Sequence, residues 1–118
     1  MNSRIAATDA RTYWTIDDIR SKIERSTVVV FSKGNQITPR CGFSKDAFQA
    51  IKQCGCPFEV VDVCADKSIL AALRAYGERH SLPLVFANGA LVSSSENLEQ
   101  MLRTGTFQQK ISEALDTH

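Results

Sequence analysis

"LPLVFANGALV", residues 82–92, joins two apolar segments through the dipeptide Asn88-Gly89. An Asn-Gly pair between two apolar segments is a strong signal for a tight β-hairpin. We therefore predict a strand over Leu82–Ala87, beginning at Pro83, that returns antiparallel through Ala90–Val92. The sheet of this protein is expected to end in this hairpin.

Two further strands are predicted upstream of the hairpin. Thr27–Phe31 is a continuous β-branched and aromatic segment, typical of a buried strand, and Phe58–Val63 is predicted as the second strand. A helix from about Cys41 to Cys54 lies between them, and Gly55–Pro57 ends it. Because a helical crossover joins parallel strands, the sheet is expected to be mixed and four-stranded.

The other helices are predicted from capping residues and apolar spacing. Thr15 is expected to cap a first helix and Asp66 a third, while Ser93–Ser95 offers a cap to a fourth. Gly105 ends the fourth helix, and a last helix follows it. The inner face of the third helix is predicted to carry Ile69, Leu70, Leu73 and Tyr76. This order gives an α/β fold of the thioredoxin type, with helices on both faces of the sheet.

Size and charge restrict the classes of function. The 118 residues suit one domain, which we place at residues 14–118 after a flexible extension at 1–13. A net charge of +1 gives no general field that would attract nucleic acid or an acidic membrane surface. The longest apolar segment, Val28–Phe31, is too short to span a membrane. Met1–Arg11 lacks the apolar centre of a secretory signal, so the four cysteines are expected to be free thiols in a reducing compartment. This segment fits either a frayed terminus or an organelle presequence remnant.

Cys41 is the residue that most suggests chemistry. It stands in "TPRCGFSKDAF", residues 38–48, directly before the predicted second helix. Unpaired N–H groups at a helix start, with basic residues on both sides, favour a thiolate. A dithiol enzyme carries a second cysteine three positions on, but this position is Ser44, which cannot resolve a mixed disulfide. The alternative is an inert cysteine enclosed at the helix start.

Several motifs together resemble one family. "CGFS" at Cys41, "VVVFSKG" with Lys33 eight residues before it, Pro83, "NGALV" and "RTGTF" occur in the order of the monothiol glutaredoxins of the CGFS class. The resemblance runs from about Thr15 to Leu115. It implies the glutaredoxin version of the thioredoxin-like fold, glutathione as a ligand, and a [2Fe–2S] cluster shared between two subunits.

The number of cluster ligands agrees with this implication. A [2Fe–2S] centre takes four soft ligands, usually thiolates, and one exposed thiolate per chain cannot supply four. Two chains and two glutathione thiols can supply them. We therefore expect a homodimer when the cluster is bound, a monomer as the apo-protein, and apo iron–sulfur proteins as acceptors. Only weak oxidoreductase activity is expected, because Ser44 cannot release a mixed disulfide.

The resemblance also implies which residues form the site. Lys33 would pair with the glycine carboxylate of glutathione, and the Leu82 backbone, before a cis-Pro83, with the cysteinyl backbone. The N–H groups of Ser94 and Ser95 would bind the γ-glutamyl carboxylate. The remaining assignments are Glu96 facing the γ-glutamyl ammonium, Phe43 beside the ligand thiol, Gly42 allowing close approach, and Cys41 as nucleophile and cluster ligand.

Three of these assignments have a purely structural alternative. Lys33 could be a solvated loop lysine, Glu96 a first-turn acid that complements the helix dipole, and Phe43 part of the core. Their joint placement around Cys41 favours the ligand site.

Some positions depart from the family pattern. Arg79-His80 stands where the family carries Trp-Pro, Ser93-Ser94 replaces Gly-Gly, and Leu70 replaces an arginine. Arg74 or Arg79 could supply the missing charge. These changes put glutathione affinity and cluster lifetime in question, and a different thiol containing a glutathione moiety could fit the altered site.

The other cysteines do not have the paired spacing of a zinc site. Cys54 and Cys64 are expected to be packing residues. Cys56 could be an exposed thiol, although the fold should hold it well apart from Cys41.

Three functions follow from the sequence. The favoured one is a glutathione-dependent [2Fe–2S] carrier that transfers its cluster to other proteins. The second is an oxidoreductase that removes glutathione from protein thiols without holding iron, and the third is a non-catalytic thioredoxin-like adaptor. A mitochondrial location is expected, with the cytoplasm as the alternative.

Overall fold

The computed structural model describes residues 13–116. Residues 1–12 and 117–118, and with them nearly all of the predicted N-terminal extension, lie outside this part. The helices are α1 (Ile16–Arg25), α2 (Gly42–Cys54), α3 (Lys67–Tyr76), α4 (Ser95–Thr104) and α5 (Thr106–Asp116), with a 3₁₀ turn at Val63–Ala65. The strands are β1 (Val28–Ser32), β2 (Glu59–Asp62), β3 (Leu84–Ala87) and β4 (Ala90–Ser93).

The strands of the described part form one mixed sheet in the order β2-β1-β3-β4. β1 and β2 pair in parallel, with Val30 opposite Val60, and β1 and β3 pair antiparallel, with Val30 opposite Val85. The β3–β4 hairpin turns through Asn88 and Gly89, whose φ angles of 53° and 86° are those of a tight Asn-Gly turn. The predicted fold class, the parallel pair and the hairpin are confirmed.

Helices cover both faces of the sheet. Because successive strand residues point to opposite faces, β1 supplies both cores. Val29 and Phe31 pack with buried residues of α1 and α3, whereas Val28 and Val30 pack with buried residues of α2, α4 and α5. α2 therefore lies on one face of the sheet with Cys41 at its amino end.

The predicted caps of α1 and α3 are confirmed. The Asp18 N–H donates to Thr15 Oγ1 at 3.2 Å, and the Thr15 N–H donates to an Asp18 carboxylate oxygen at 2.8 Å. This reciprocal pair is a capping box. Asp66 caps α3 by accepting from the Ser68 N–H at 2.8 Å.

Two predictions about packing are wrong. Leu70 is exposed rather than inward, because Ile69 and Leu73 already occupy the core-facing side of α3 and Leu70 is turned away from it. Cys64 is exposed rather than packed, because it lies in the 3₁₀ turn that follows β2 and not in a strand.

Strand ends also differ from the sequence prediction by a few residues. β3 begins at Leu84, since Pro83 has no N–H to donate to a sheet ladder. β2 ends at Asp62, where the chain enters the 3₁₀ turn at Val63.

The packed domain includes Trp14, next to the first described residue. Trp14 is buried in the α1–α3 core, and its backbone N–H donates to Ser68 Oγ at 2.8 Å. Of the helices between residues 13 and 116, none combines the length and apolarity that a membrane span requires.

Candidate functional site

Cys41 is the N-cap of α2. Its backbone is extended, with φ −153° and ψ 156°, so the chain turns into the helix directly after the sulfur-bearing residue. The Ser44 N–H donates to Cys41 Sγ at 3.3 Å, and Sγ lies 3.2 Å from Ser44 Oγ. Cys41 is partly exposed. The prediction of a cysteine at a helix start is confirmed, and complete enclosure of this cysteine is wrong.

Ser44 has a structural role that sequence reasoning missed. It is fully buried, and its Oγ accepts a hydrogen bond from the Lys33 N–H at 3.1 Å. This bond joins the end of β1 to the first turn of α2, on which Cys41 depends. The family motif identified Ser44 only as the position of an absent thiol.

The segment between Lys33 and Cys41 is an ordered turn rather than a simple polar loop. Gly34 and Pro39 form an isolated antiparallel bridge, and the Arg40 N–H donates to the Lys33 carbonyl at 2.8 Å. Gly34 has φ +88°, and a Cβ there would lie 2.4 Å from the Thr38 carbonyl oxygen. This turn therefore requires glycine at position 34.

Side chains also fix this turn from both sides. Asn35 Oδ1 accepts the N–H groups of Ile37 and Thr38 at 2.9 and 2.8 Å. Asp62, at the end of β2, accepts the Gly34 N–H at 2.9 Å. The turn that precedes Cys41 is thus attached to the sheet.

Three of the residues predicted to bind glutathione are exposed, and a fourth is buried. Lys33 is exposed, and its side chain makes no hydrogen bond or ion pair within the described residues. Phe43 is 47% exposed, so the alternative of a core residue is wrong. A Cβ at Gly42 would meet no atom within 4 Å, which leaves open space beside the sulfur. The fourth, Leu82, has a buried side chain.

The peptide bond between Leu82 and Pro83 is cis, as the sequence predicts. Within residues 13–116, no backbone hydrogen bond uses the N–H or the carbonyl of Leu82. An extended peptide could therefore pair with this residue as a short added strand.

Groups at the start of α4 are already hydrogen-bonded to the loop before Pro83. The Ser95 N–H donates to the Ser81 carbonyl at 3.1 Å, and the Ser81 N–H donates to Glu96 Oε2 at 3.0 Å. Hydrogen bonds from the Ser94 hydroxyl and the Ser81 N–H lower the pKa of Glu96 from 4.5 to about 2. Two of the predicted ligand groups, the Ser95 N–H and the Glu96 carboxylate, are thus bonded to the loop before Pro83.

Ser93 sits next to this helix start and is unusual. It is 1% exposed, and its Oγ is the buried side-chain oxygen without a hydrogen-bond partner in the described part of the chain. A buried hydroxyl without a partner is costly, and this one stands where the family carries glycine.

Arg74, proposed from the sequence as a replacement charge, has another role. Its guanidinium donates to the carbonyl oxygens of Glu78 and His80 at 2.8 and 2.9 Å, which holds the loop that follows α3. Glu78 also accepts from the His80 N–H at 2.9 Å. Arg79 is exposed.

Cys54 lies at the opposite end of α2 from Cys41. α2 separates Cys41 from Cys54 by thirteen positions, roughly 20 Å at 1.5 Å per residue. Burial, and then the neighbouring Cys56, raise the pKa of the Cys54 thiol. No group of three or more His, Cys, Asp or Glu side chains in residues 13–116 is placed to hold a metal ion.

Fold and site together define a class of protein. A single cysteine at a helix N-terminus, together with a cis-proline directly before a strand of this sheet, characterises thiol proteins of the thioredoxin-like fold. Residues 28–92 match the family model described as Glutaredoxin. The chain belongs to the glutaredoxin family, and Ser44 in place of a second cysteine puts it with the monothiol members.

Known relatives agree with this membership. A monothiol glutaredoxin (ycf64-like) of Synechocystis sp. is 33% identical over 93 residues, which cover 79% of this chain and 87% of the relative. Glutaredoxin 4 of Escherichia coli (strain K12) is 33% identical over 99 residues, covering 84% and 86%. A solved buckwheat glutaredoxin–glutathione complex has a TM-score of 0.66 at 20% identity, covering 84% of this chain and 88% of that one, which shows the shared fold.

Proposed function

We propose that this protein carries a glutathione-ligated [2Fe–2S] cluster and transfers it to acceptor proteins. In the cluster-bound homodimer, Cys41 of each chain and the thiols of two glutathione molecules would provide four ligands. The apo-protein would be a monomer, and the acceptors would be apo iron–sulfur proteins. The predicted mitochondrial location stays a prediction.

The number and position of the thiols support this proposal most directly. Cys41 is the one cysteine at the amino end of α2, and Ser44 occupies the place of a second thiol as a buried, hydrogen-bonded residue. Since the described residues include no grouped metal ligands, a cluster at Cys41 requires ligands from outside one chain. A small thiol and a second copy of the chain supply them.

The groups around Cys41 fit glutathione. The unpaired backbone of Leu82 suits the cysteinyl peptide group, and the unpaired Lys33 ammonium suits the glycine carboxylate. Glu96 offers the γ-glutamyl ammonium a negative charge that persists down to a pH of about 2. The Ser95 N–H is less available, because binding a carboxylate there requires it to leave or share the Ser81 carbonyl.

A second function is favoured by the partial exposure of Cys41. Its thiolate could attack the sulfur of glutathione in a protein–glutathione disulfide, so that a new disulfide forms and the protein thiolate leaves with the electron pair. A second glutathione would then have to release the enzyme, because Ser44 cannot. The buckwheat relative was solved as a complex with glutathione, which is consistent with either function.

Anaerobic reconstitution distinguishes the two functions. The protein is incubated with iron, sulfide and either glutathione or no small thiol, and the visible absorbance and the oligomeric state are measured. We expect a coloured dimer with glutathione only, and loss of colour in Cys41→Ser but not in the matched control Cys56→Ser. Colour that persists in Cys41→Ser, or that forms equally without glutathione, would contradict the proposal.

Restoring the second thiol tests the same argument from the opposite direction. In Ser44→Cys, an internal attack on the mixed disulfide becomes available, so turnover of a glutathionylated substrate should rise by roughly tenfold or more. Unchanged turnover would show that the missing thiol does not limit the reaction. Ser44→Ala removes the hydroxyl without adding a thiol and serves as the control.

A further inference from the structure

A groove runs from Cys41 along the exposed side of α2, and Cys41 and Gly42 are the residues that it shares with the predicted glutathione site. Its volume is about 660 Å³, and its walls include Ile37, Pro39, Arg40, Lys45, Phe48 and Lys52. Cys41 and Gly42 line it at the amino end of the helix. We refer to it as the basic groove.

The polar lining of the basic groove has one sign of charge. Arg40, Lys45 and Lys52 are exposed, and within residues 13–116 none of their side chains forms an ion pair or hydrogen bond. Among residues 13–116, no carboxylate lines the groove. Asp46, the acid nearest in sequence, lines a separate hollow with Met101 and Phe107.

The groove also has apolar surface for a peptide to contact. Ile37, at the tip of the turn before Cys41, is 93% exposed. This exposure is fixed by the turn, because Asn35 holds the Ile37 N–H and Gly34 allows the close approach of Thr38. Because the backbone of this turn is already ordered, a partner that covers Ile37 does not have to order it, and the remaining entropy cost is that of the side chain.

We propose that the basic groove binds an acidic segment of a partner protein and brings that partner's cysteine to Cys41. This proposal rests on the proposed function in one respect, because both require that a partner protein reaches Cys41. The positive charge of the groove favours an anionic segment, and the Cys41 thiol at its end favours a segment that carries a reactive cysteine.

Helical spacing predicts the pattern of the bound segment. Cys41, Lys45 and Lys52 follow one another at four and seven positions, roughly 6 and 10 Å along the helix axis. An extended chain advances about 3.3 Å per residue, so these distances correspond to about two and three residues. The expected partner motif is therefore Cys-x-acid-x-x-acid, in either chain direction.

Rates of glutathione transfer test this inference. Two short peptides, Cys-Ser-Glu-Ser-Ser-Glu and Cys-Ser-Lys-Ser-Ser-Lys, are glutathionylated, and transfer of glutathione to Cys41 is followed by mass spectrometry. The Cys41 thiolate attacks the glutathione sulfur, and the peptide thiolate leaves, so no other oxidant or reductant is needed. The small disulfide of glutathione and 2-mercaptoethanol is the reference substrate.

We expect the glutamate peptide to react about tenfold faster than the lysine peptide at low salt, and the difference to shrink at high salt. Lys52→Gln should slow glutathione transfer from the glutamate peptide by about twofold to fivefold and leave the rate of transfer from the reference substrate unchanged. Lys110→Gln, a matched change on α5 outside the groove, should alter neither rate.

Equal rates for the two peptides, or equal effects of Lys52→Gln and Lys110→Gln, would overturn the groove proposal while leaving cluster binding intact. Failure of the reconstitution described above would overturn cluster carriage and leave the peptide comparison valid. An unreactive Cys41 with every substrate would overturn the groove proposal too, because no partner cysteine could then react there.

Discussion

The region predicted to bind glutathione and the basic groove are built differently. In the first, the loop before Pro83 and the start of α4 bind each other through Ser81, Ser95 and Glu96. In the second, the cations of the basic groove have no partner in the described part of the chain, while the turn beneath them is tightly bonded. A small ligand in the first region must compete with internal hydrogen bonds, whereas a partner in the groove meets ready charges.

The largest effect is expected from breaking the turn beside the groove. Gly34→Ala places a Cβ 2.4 Å from the Thr38 carbonyl oxygen at φ +88°, so we expect a loss of about 2–3 kcal/mol in the free energy of unfolding. Urea denaturation measures it. Gly42→Ala, where a Cβ meets open space, is the matched control and should change stability by less than about 0.5 kcal/mol. Equal effects of the two changes would show that the turn is not constrained as described.

An intermediate effect is expected at Ser44, which joins the end of β1 to the first turn of α2. Ser44→Ala leaves the Lys33 N–H without its side-chain acceptor, at a cost of about 1–3 kcal/mol. Hydrogen exchange at the Lys33 amide should also become faster in this variant. Ser112→Ala, an exposed serine on α5, is the control for the loss of a hydroxyl. Wild-type stability and exchange in Ser44→Ala would contradict the assigned hydrogen bond.

The sequence predicts most of the elements on which this comparison rests, but it does not predict the hydrogen bonds between residues that are far apart in the chain. The hairpin, the caps of α1 and α3 and the position of Cys41 follow from local signals such as Asn88-Gly89 and Thr15, whereas the cis-Pro83 is implied by the family resemblance. The hydrogen bonds of Ser44 to Lys33 and of Asp62 to Gly34 join residues 11 and 28 positions apart. Such contacts depend on how elements pack, and no periodic pattern in the sequence announces them.

Leu70 and Cys64 illustrate the same limit for packing. An apolar side chain near the inner face of a predicted helix is expected to be buried, yet Ile69 and Leu73 already fill the space that Leu70 would need. Cys64 is expected to pack because it directly follows the predicted strand Phe58–Val63, but the 3₁₀ turn at Val63–Ala65 leaves it exposed. Family patterns predict which residues form the site, whereas the hydrogen bonds of Ser95 and Glu96 to Ser81 are visible only in the structure.

The smallest effect on stability is expected at the start of α4. Because the pKa of Glu96 is lowered from 4.5 to about 2 in the folded protein, its carboxylate stabilises the fold above pH 4.5. This contribution is lost as the pH falls from about 4.5 towards 2. Glu96→Gln should therefore flatten the dependence of the urea midpoint on pH in that window, whereas Glu99→Gln, on the same helix, should not. Parallel curves for wild type and Glu96→Gln would contradict the bond to Ser81.

The central claim is that Cys41 is the reactive sulfur because it caps α2, and site-resolved alkylation tests it most directly. The protein is treated briefly with limiting iodoacetamide at neutral pH, and each cysteine is quantified by peptide mass spectrometry. Exposure alone predicts that Cys64, an exposed thiol, reacts before the partly exposed Cys41. If its position as the cap of α2 makes Cys41 reactive, the order is reversed, and Cys41 is modified roughly tenfold faster than Cys64. Modification of Cys64 first, with Cys41 as slow as Cys54, would contradict the claim.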